Sequence, residues 1–406
     1  MICRAEPNTL MLFNAEHGIT AAISGSELCS LKYYLVKGIK NEFIYRLIDL
    51  KLIPENMPKD EAYNLLSEIE KTKNVTSPPS SFAVPESIHI DLTTVCPLKC
   101  PHCYKDTTQN TQLPFEKFSE IIDEAKELGV FQIALGGGEP LLVDRLPTFI
   151  KKVSSYNMTC TITTSGFGLT TKLLEELKSA GVNHIQVSLN GSTREINAYS
   201  RDGFEHAISA LDVLSKSDVL FGINWVARMD NIKDFDNVVV YAKSLKADNI
   251  NVLRYKPVVK ENYIKNALTH EAFYTLAETM KKVSGIKIKV DCAFSNLLCY
   301  LHKNQISPIS SGCGAGRRFM MIDPKGRFKP CSHMGLVSER QDILKYWISS
   351  PDLEKLRQCD KSINEECKSC SYLDVCHGCQ AICEKIDTDR GVEKNSCPAF
   401  IKKEMV

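Results

Sequence analysis

Three cysteines within eight residues are the part of this sequence best suited to chemistry. They are Cys96, Cys100 and Cys103, with three residues between the first pair and two between the second. A loop with this spacing can direct three thiolates to one centre, and a cubane [4Fe–4S] cluster takes four. Three protein ligands therefore leave one iron open to a ligand that reacts. A zinc knuckle is the alternative, although zinc sites favour four ligands and paired CxxC motifs.

Further polar and glycine-rich motifs follow predicted strands. Gly136-Gly137-Gly138-Glu139-Pro140 comes directly after one of them. Glycine lets a backbone approach a ligand closely because it has no Cβ, and the Glu139 carboxylate could hold an ammonium group. Ser188 lies near the end of another predicted strand, and Arg201 is suited to bidentate capture of a carboxylate. The alternatives are a plain turn, a serine that binds its own backbone and a surface arginine.

An alternation of strands and helices must position these motifs. Six apolar strands, each followed by an amphipathic helix, predict a parallel sheet with right-handed crossovers that curls toward a barrel. The active site of such a barrel lies at the carboxyl ends of its strands. Asn224 lies within the fifth strand and Arg254 ends the sixth, so both could face the cavity. The predicted strands are Ile88–Leu92, Phe131–Leu135, Met158–Thr164, His184–Leu189, Val219–Val226 and Ile250–Arg254.

Segments of different character flank this core. Residues 1–70 predict a small unit with two strands within Leu10–Ile23 and helices near Leu28–Val36 and Asn41–Leu50. Residues 71–86 include Ser77-Pro78-Pro79 and predict a linker. The core occupies 87–290. The last segment, 291–406, contains nine of the 17 cysteines between Cys313 and Cys397.

Composition excludes several classes of protein. With 50 basic and 49 acidic side chains among 406 residues, the net charge of +1 does not favour a nucleic-acid or membrane-surface partner. No apolar run approaches the length of a membrane span, and the N-terminus lacks the pattern of an export signal. We therefore expect the protein in the cytoplasm, where clustered cysteines more often bind metal than form disulfides.

Together these motifs resemble the radical S-adenosylmethionine (SAM) superfamily, whose CxxxCxΦC motif is matched with His102 as the aromatic residue. The resemblance implies an α/β fold with an open, partial (β/α)6 TIM-like barrel. It also implies a [4Fe–4S] cluster on Cys96, Cys100 and Cys103 that reductively cleaves SAM to a 5′-deoxyadenosyl radical. The segment ending in Asn190-Gly191 is similar to the family's SLDG-type segment, with Asn190 in place of the usual Asp. The residues expected to contact SAM are His102, Gly137, Gly138, Glu139, Ser188, Arg201, Asn224 and Arg254.

The C-terminal cysteines resemble a SPASM domain, which implies one or two auxiliary iron–sulfur clusters, expected to be [4Fe–4S]. One departure from the SPASM pattern is that two residues, not three, separate Cys376 from Cys379. Cys379 is taken as the ligand and Cys383 is its rival. A zinc ribbon is the alternative reading of the CxxC pairs. The resemblance assigns one cluster to Cys313, Cys331, Cys379 and Cys299, with Cys292 as second choice for the fourth ligand, and the other to Cys367, Cys370, Cys376 and Cys397.

Residues 1–70 resemble the PqqD-like, winged-helix-like peptide-recognition element of enzymes that mature ribosomal peptides. In that family a leader peptide adds a strand to a sheet edge, a mode that combines main-chain hydrogen bonds with side-chain pockets. A generic cap on the enzyme is the alternative. The resemblance therefore implies a ribosomal precursor peptide as partner.

The leading hypothesis is a radical SAM oxidoreductase that forms a thioether, C–C or C–O crosslink in such a peptide, with flavodoxin or ferredoxin as electron donor. The alternatives are an enzyme resembling anaerobic sulfatase maturases and a peptide epimerase. Sulfatase maturases carry an Asp base where this chain has Ser332, which counts against that alternative. A non-enzymatic zinc or iron–sulfur module would leave the glycine motif unexplained. The sequence identifies no catalytic acid or base.

Overall fold

The computed structural model describes residues 2–16, 18–106, 108–256, 258, 260–302 and 312–358, together with 376, 378, 379, 381 and 382. Four cysteines discussed as possible auxiliary ligands lie outside the described residues: Cys367, Cys370, Cys383 and Cys397.

Strands and helices alternate through most of the described chain. The strands are β1 (Ile2–Glu6), β2 (Thr9–Asn14), β3 (Ile19–Ser24), β4 (Ser87–Thr93), β5 (Gln132–Gly137), β6 (Thr159–Thr164), β7 (His184–Ser188), β8 (Phe221–Ala227), β9 (Asn249–Arg254), β10 (Lys287–Val290), β11 (Phe319–Ile322) and β12 (Phe328–Lys329). The helices are α1 (Gly25–Lys37), α2 (Glu42–Asp49), α3 (Lys59–Lys71), α4 (Phe115–Glu127), α5 (Leu146–Ser154), α6 (Thr171–Ser179), α7 (Arg194–Ala198), α8 (Phe204–Ser215), α9 (Phe235–Ser244), α10 (Lys260–Asn266), α11 (His270–Lys282), α12 (Ser295–His302), α13 (Ile343–Ser349) and α14 (Pro351–Arg357).

The larger of two sheets has the strand order β10-β9-β8-β7-β6-β5-β4-β11-β12 across the described residues. Every neighbouring pair is parallel except β11 and β12. The six strands predicted from sequence are β4 to β9, and each boundary lies within two residues of its expected position. The parallel α/β core is therefore confirmed.

Further strands lie at both edges of this sheet. β10, which was not among the six predicted strands, pairs with β9. On the other edge, β11 from the cysteine-rich segment pairs parallel with β4, joining Ile322 to Ile90. β12 then pairs antiparallel with β11. The cysteine-rich segment is thereby built onto the same sheet, because an uncovered β4 edge would leave backbone groups unpaired.

Side-chain alternation along the strands gives the sheet one apolar and one polar face. Ile88, Ile90 and Leu92 of β4 are fully buried in the main apolar core. His89 and Asp91, on the opposite face of the same strand, line a cavity. Since successive strand side chains point to opposite faces, the apolar residues pack in the core while polar residues reach the cavity.

Residues 2–71 form a smaller unit around a three-stranded antiparallel sheet in the order β1-β2-β3. The predicted hairpin corresponds to β2 and β3, whereas β1 and α3 were not predicted. The unit has an apolar core of its own. Members of that core include Leu10, Leu12, Ile23, Leu31, Ile44, Leu47, Leu65 and Ile69.

A buried ion pair fastens this unit to the rest of the molecule. Arg4 and Glu6 of β1 form an ion pair of 2.8 Å. The Arg4 guanidinium also donates to the carbonyls of Pro85 and Gly129, each at 3.1 Å. Glu6 accepts a hydrogen bond from the Ala83 amide at 2.7 Å. Strand β1 is thus tied both to the connecting segment and to the larger core.

Within the described part of the chain, no helix combines the length and the apolar character needed to cross a bilayer.

Candidate active site and auxiliary cysteines

A cavity of about 310 Å³ lies at the carboxyl ends of the parallel strands. This is the edge at which a parallel α/β sheet brings residues from successive strands together. All three cysteines of the first motif line the cavity, as do most of the polar candidates. The predicted residues that line it are Cys96, Cys100, His102, Cys103, Gly137, Gly138, Ser188, Arg201, Asn224 and Arg254.

The cysteine loop is held in place by the segment that follows β7. The Lys99 amide donates to Asp202 Oδ2 at 3.1 Å, and the His102 amide donates to the Ser200 carbonyl at 3.3 Å. Within the loop, the Cys103 amide donates to the Cys100 carbonyl at 3.0 Å. These backbone contacts fix the loop over the cavity from both sides of the second cysteine.

Gly137 and Gly138 pack against the backbone that leads into the cysteine loop. The Gly138 amide donates to the Thr93 carbonyl at 2.7 Å. A Cβ on Gly138 would lie 2.2 Å from the Val95 carbonyl oxygen, and one on Gly137 would lie 2.4 Å from the Thr93 oxygen. The glycines are thus required by the close approach of the chain that leads into the cysteine motif, in addition to any contact with a ligand.

The side chain of Glu139 lies in a different place from the one expected. Its side chain is fully buried and does not line the cavity. The carboxylate accepts hydrogen bonds from the Leu141 amide at 3.0 Å, the Thr164 hydroxyl at 2.6 Å and the Ser165 amide at 2.9 Å. Glu139 therefore ties the ends of β5 and β6 together, and these contacts do not support an ammonium-binding carboxylate.

Arg201 and His102 lie side by side at the cavity. The buried Nε of Arg201 has no hydrogen-bond partner among the described residues. His102 Nδ1 is in hydrogen-bond contact with the Ser200 carbonyl, which requires the proton on Nδ1 because a carbonyl only accepts. Burial, together with the Arg201 charge, lowers the pKa of His102 to about 4. At neutral pH the site therefore has a neutral imidazole beside a cation able to bind a carboxylate.

The remaining residues expected to contact SAM lie at different places along the cavity. Ser188 and Asn224 are paired across β7 and β8 and are almost fully buried. Asn224 Oδ1 accepts from Asn251 Nδ2 at 3.2 Å. Arg254 lines the cavity, but its guanidinium also donates to the Ala293 carbonyl at 3.2 Å. Arg254 thus lies between the cavity and the cysteine-rich segment rather than at the cysteine loop alone.

Sequence reasoning missed several residues of the cavity. Asp91 on β4 forms an ion pair with Lys105, which follows the cysteine motif directly. Burial lowers the pKa of Lys105, but the Asp91 charge outweighs it and the net shift is upward. Ser332 from the cysteine-rich segment lines the cavity, and His333 beside it packs on Tyr104 with ring centroids 3.8 Å apart. Strand alternation was a usable signal for Asp91, whereas contacts between distant segments left none.

One part of the chain matches a known protein family. Residues 90–242 match the family model described as the Radical SAM superfamily. This segment is therefore a radical SAM domain. This segment starts in β4, before the cysteine motif, and ends in α9.

Curated relatives of this chain include a peptide cyclase and a heme synthase. It is 28% identical over 323 residues to a PqqA peptide cyclase of Rhizobium meliloti, covering 73% of this chain and 83% of the relative. It is 26% identical to an AdoMet-dependent heme synthase of Methanosarcina barkeri, covering 73% and 91%.

Among solved structures, Streptococcus suis SuiB bound to S-adenosylmethionine matches with a TM-score of 0.73 at 18% identity, over 94% of each chain. This likeness extends the fold match beyond the radical SAM domain.

The residues present fit a cluster and SAM. Three thiols on one loop beside an open cavity are the donor set for a site-differentiated cluster. The unpartnered Arg201 Nε is the kind of buried donor that a bound carboxylate would satisfy. As they stand, no three described His, Cys, Asp or Glu side chains are close enough to hold a single metal ion. A cubane is larger than one ion and separates its thiolates more widely.

The described auxiliary cysteines fall into two groups. Cys292 and Cys313 are hydrogen-bonded to each other, and the pKa of Cys313 is raised by that bond, by burial and by the nearby Cys379 and Cys331. Cys299 instead contacts Cys376, and their hydrogen bond lowers the pKa of Cys376 to about 6.

Helix α12 explains why Cys299 is separated from the first group. Ser295 and Cys299 are one turn apart on this helix and therefore share a face. The Ser295 hydroxyl donates to the Cys376 carbonyl at 2.7 Å. The same face thus directs Cys299 toward Cys376, while Cys292, which precedes the helix, lies beside Cys313. The structure brings the second-choice residue, not Cys299, to Cys313.

Proposed function

We propose that this chain is a peptide maturase that oxidatively crosslinks a ribosomally synthesised precursor peptide through a thioether, C–C or C–O bond. The observation that carries the proposal is a single cavity lined both by the three-cysteine loop and by residues of the auxiliary region, among them Ser332, which directly follows Cys331. The likeness to a PqqA peptide cyclase supports a peptide as substrate.

Residues of this chain bind and orient the reactants. Cys96, Cys100 and Cys103 would hold the radical SAM cluster, and Arg201 would bind the SAM carboxylate. Ser188 and Asn224 would contact the rest of SAM. When bound there, the cluster and SAM supply a 5′-deoxyadenosyl radical that takes a hydrogen atom from the substrate. The Asp91–Lys105 pair would keep two charges fixed at the wall of the cavity, where the peptide enters.

Loss of two hydrogens from the peptide requires a second electron and a proton to leave as well. We assign the acceptor role to the auxiliary clusters of a SPASM domain. A flavodoxin or ferredoxin would be the electron donor for the cleavage of SAM. The first cluster would use Cys292, Cys313, Cys331 and Cys379, with Cys292 in place of Cys299. The second would use Cys367, Cys370, Cys376 and Cys397.

The N-terminal unit would bind the leader of the precursor peptide as a PqqD-like element. Among the described residues, β3 pairs with β2 on one side only. At the opposite edge of the sheet, β1 is fastened to the core by Arg4 and Glu6. The outer edge of β3 is therefore the better place for an added strand. The corresponding units are a recognition domain (1–70), a linker (71–86), a partial barrel (87–290) and a SPASM domain (291–406).

A substrate other than a precursor peptide is the second candidate. The relative named AdoMet-dependent heme synthase favours a small molecule. A sulfatase-maturase-like reaction is less favoured because Ser332, which lines the cavity, has no carboxylate to accept a proton.

Mass spectrometry of co-expressed peptides tests this proposal. The chain is expressed anaerobically with iron–sulfur assembly factors and each short open reading frame that neighbours its gene. We expect a peptide lighter by two hydrogens with the unaltered chain and not with a Cys96→Ala, Cys100→Ala, Cys103→Ala variant. A matched control is Cys160→Ala, because Cys160 is buried in the apolar core away from both cysteine groups.

The other outcomes separate the alternatives. A peptide of unchanged mass that gains one deuterium in heavy water would assign the enzyme to epimerisation. Unmodified peptides from a preparation that still cleaves SAM would exclude the peptide-maturase proposal and favour a folded protein or a small molecule.

A further inference from the structure

Lys256 is a buried cation that the proposed reaction does not yet use. It lies two residues after Arg254, the last residue of β9, and its side chain lines the cavity. Its ammonium group is 2.6 Å from Asp291 Oδ2 and 3.5 Å from the Arg254 carbonyl oxygen. Both side chains of the ion pair are less than one-fifth exposed. A buried charge is costly unless it is paired, so the site keeps this ammonium by means of Asp291.

The ion pair lies beside the first auxiliary cysteine group. Asp291, which holds the Lys256 ammonium at 2.6 Å, directly precedes Cys292 in the chain. Lys256 shares its cavity with Ser332, the residue that follows Cys331. The ammonium group is therefore a fixed charge close to two segments that carry auxiliary cysteines.

Such a charge bears on electron transfer. A cluster on four thiolates gains one negative charge when it takes up an electron. A fixed cation stabilises the reduced form more than the oxidised form, and cluster potentials respond to nearby charge and hydrogen bonds. Lys256 lines the cavity in which an electron would be released, and it is paired with the residue that precedes the auxiliary cysteine Cys292.

We propose that Lys256, held by Asp291, is a positioning residue that raises the reduction potential of the first auxiliary cluster and so makes it an electron acceptor. This inference rests on the proposed function for the presence of that cluster. Lys105 is the matched comparison: it is buried, it is paired with Asp91 and it lines the same cavity. The charges that act most strongly on it are those of Asp91 and Tyr104 rather than the auxiliary thiols.

A potentiometric titration followed by electron paramagnetic resonance tests the proposal. The full chain carries alanine at Cys96, Cys100 and Cys103, so that only auxiliary clusters titrate. A Cys313→Ala version identifies the signal of the first cluster. At a fixed ambient potential, Lys256→Met should lower the reduced-to-oxidised ratio of that cluster at least tenfold, or about 59 mV for a one-electron couple. Lys256→Arg should keep the ratio within about threefold because it retains the cation. Lys105→Met should leave the ratio unchanged, because the Lys105 ammonium is paired with Asp91 and not with the residue that precedes Cys292.

Each result that contradicts the proposal leads to a different conclusion. An unchanged potential in Lys256→Met with normal iron content would overturn the role of Lys256 while leaving the cluster in place. An equal shift in Lys105→Met would attribute the effect to the general charge of the cavity and also overturn it. Iron-free protein in the triple-alanine background would refute both the inference and the proposed auxiliary clusters. The peptide mass assay is independent of all three results.

Discussion

Gly138 shows how one residue can be required by backbone geometry at a site that looks designed for a ligand. Its neighbours are the carbonyl groups of Thr94 and Val95, which cannot rotate away as a side chain could. We expect Gly138→Ala to destabilise the protein by about 1–3 kcal/mol through overpacking and to impair loading of the three-cysteine loop. Thermal unfolding and iron content measure the two effects.

Gly136→Ala is the control for that substitution. A Cβ on Gly136 would meet only Asp91 Oδ1, at 3.6 Å, which is ordinary contact. The Gly136→Ala variant should therefore unfold at nearly the same temperature as the unaltered protein. Equal destabilisation by the two substitutions would show that the carbonyl contacts of Gly138 are not the cause.

The auxiliary cysteines make a second prediction for individual residues. Because Cys292 contacts Cys313 and Cys299 contacts Cys376, Cys292→Ala should remove the first auxiliary cluster and about four iron atoms per chain, the content of a [4Fe–4S] cluster. Cys299→Ala should leave the first cluster intact. Iron and sulfide analysis with Mössbauer spectroscopy distinguishes them, and loss of the first cluster in Cys299→Ala alone would restore the original assignment.

His184 begins β7, at the end of the strand opposite the cavity. We expect this residue to make the stability of the protein depend on pH. Burial is the main cause that lowers the pKa of His184 to about 4, against about 6.5 in an unfolded chain. Between these values the unfolded state binds more protons, so stability falls as the pH decreases. From pH 7.5 to 5.0 this group should cost about 2 kcal/mol. Urea unfolding of His184→Gln should lack this part of the pH dependence, and identical pH profiles would contradict the shift.

Among single elements, the central strands β4 to β9 were easier to predict from sequence than the strands at the edges of the sheet. β4 to β9 each have alternate apolar residues that the core buries, and turns or helix caps bound them. The pairing of β11 with β4 joins two segments that are far apart in the sequence. Local periodicity does not reveal such a pairing, because it depends on the packing of a distant part of the chain.

The outer edge of strand β3 is the place where we expect the leader peptide to bind. If a leader adds a strand to its outer edge, backbone amides within Ile19–Ser24 should gain protection from hydrogen exchange when precursor peptide is added to the full chain. Amides of β1 should not change, because that strand is already fastened to the core through Arg4. Exchange followed by mass spectrometry measures both strands, and protection confined to the cavity would contradict leader binding at β3.

At the scale of the whole molecule, the Arg4–Glu6 pair joins two apolar cores. Arg4→Met leaves Glu6 buried and unpaired, which should cost about 3–5 kcal/mol. Arg4→Met combined with Glu6→Gln should recover part of that loss, since no lone charge remains. Urea unfolding of the two single variants and the double variant completes the cycle. Additive effects would show that the ion pair does not couple the two sites.

That connection also bears on function across the molecule. If it positions the N-terminal unit over the cavity, Arg4→Met should lower turnover of a precursor peptide while the affinity for the isolated leader stays the same. A parallel loss of leader affinity would instead indicate that the unit itself had unfolded.

The sequence by itself determined the radical SAM motif, the six central strands and the two main cysteine-rich regions, since each is encoded by residues close together in the chain. The spacing of Cys96, Cys100 and Cys103 is local chemistry, and alternate burial along a strand is local geometry. For that reason the match to the superfamily falls on residues 90–242.

Only the tertiary structure decided which side chains share a site. It turned Glu139 away from the cavity toward Thr164 and Ser165, and it brought Cys292 rather than Cys299 to Cys313. It also paired Lys256, which lines the cavity, with Asp291, the residue before Cys292. These outcomes depend on which helix face or strand end packs against a distant segment, and that choice is made by burial and hydrogen bonding across the whole core.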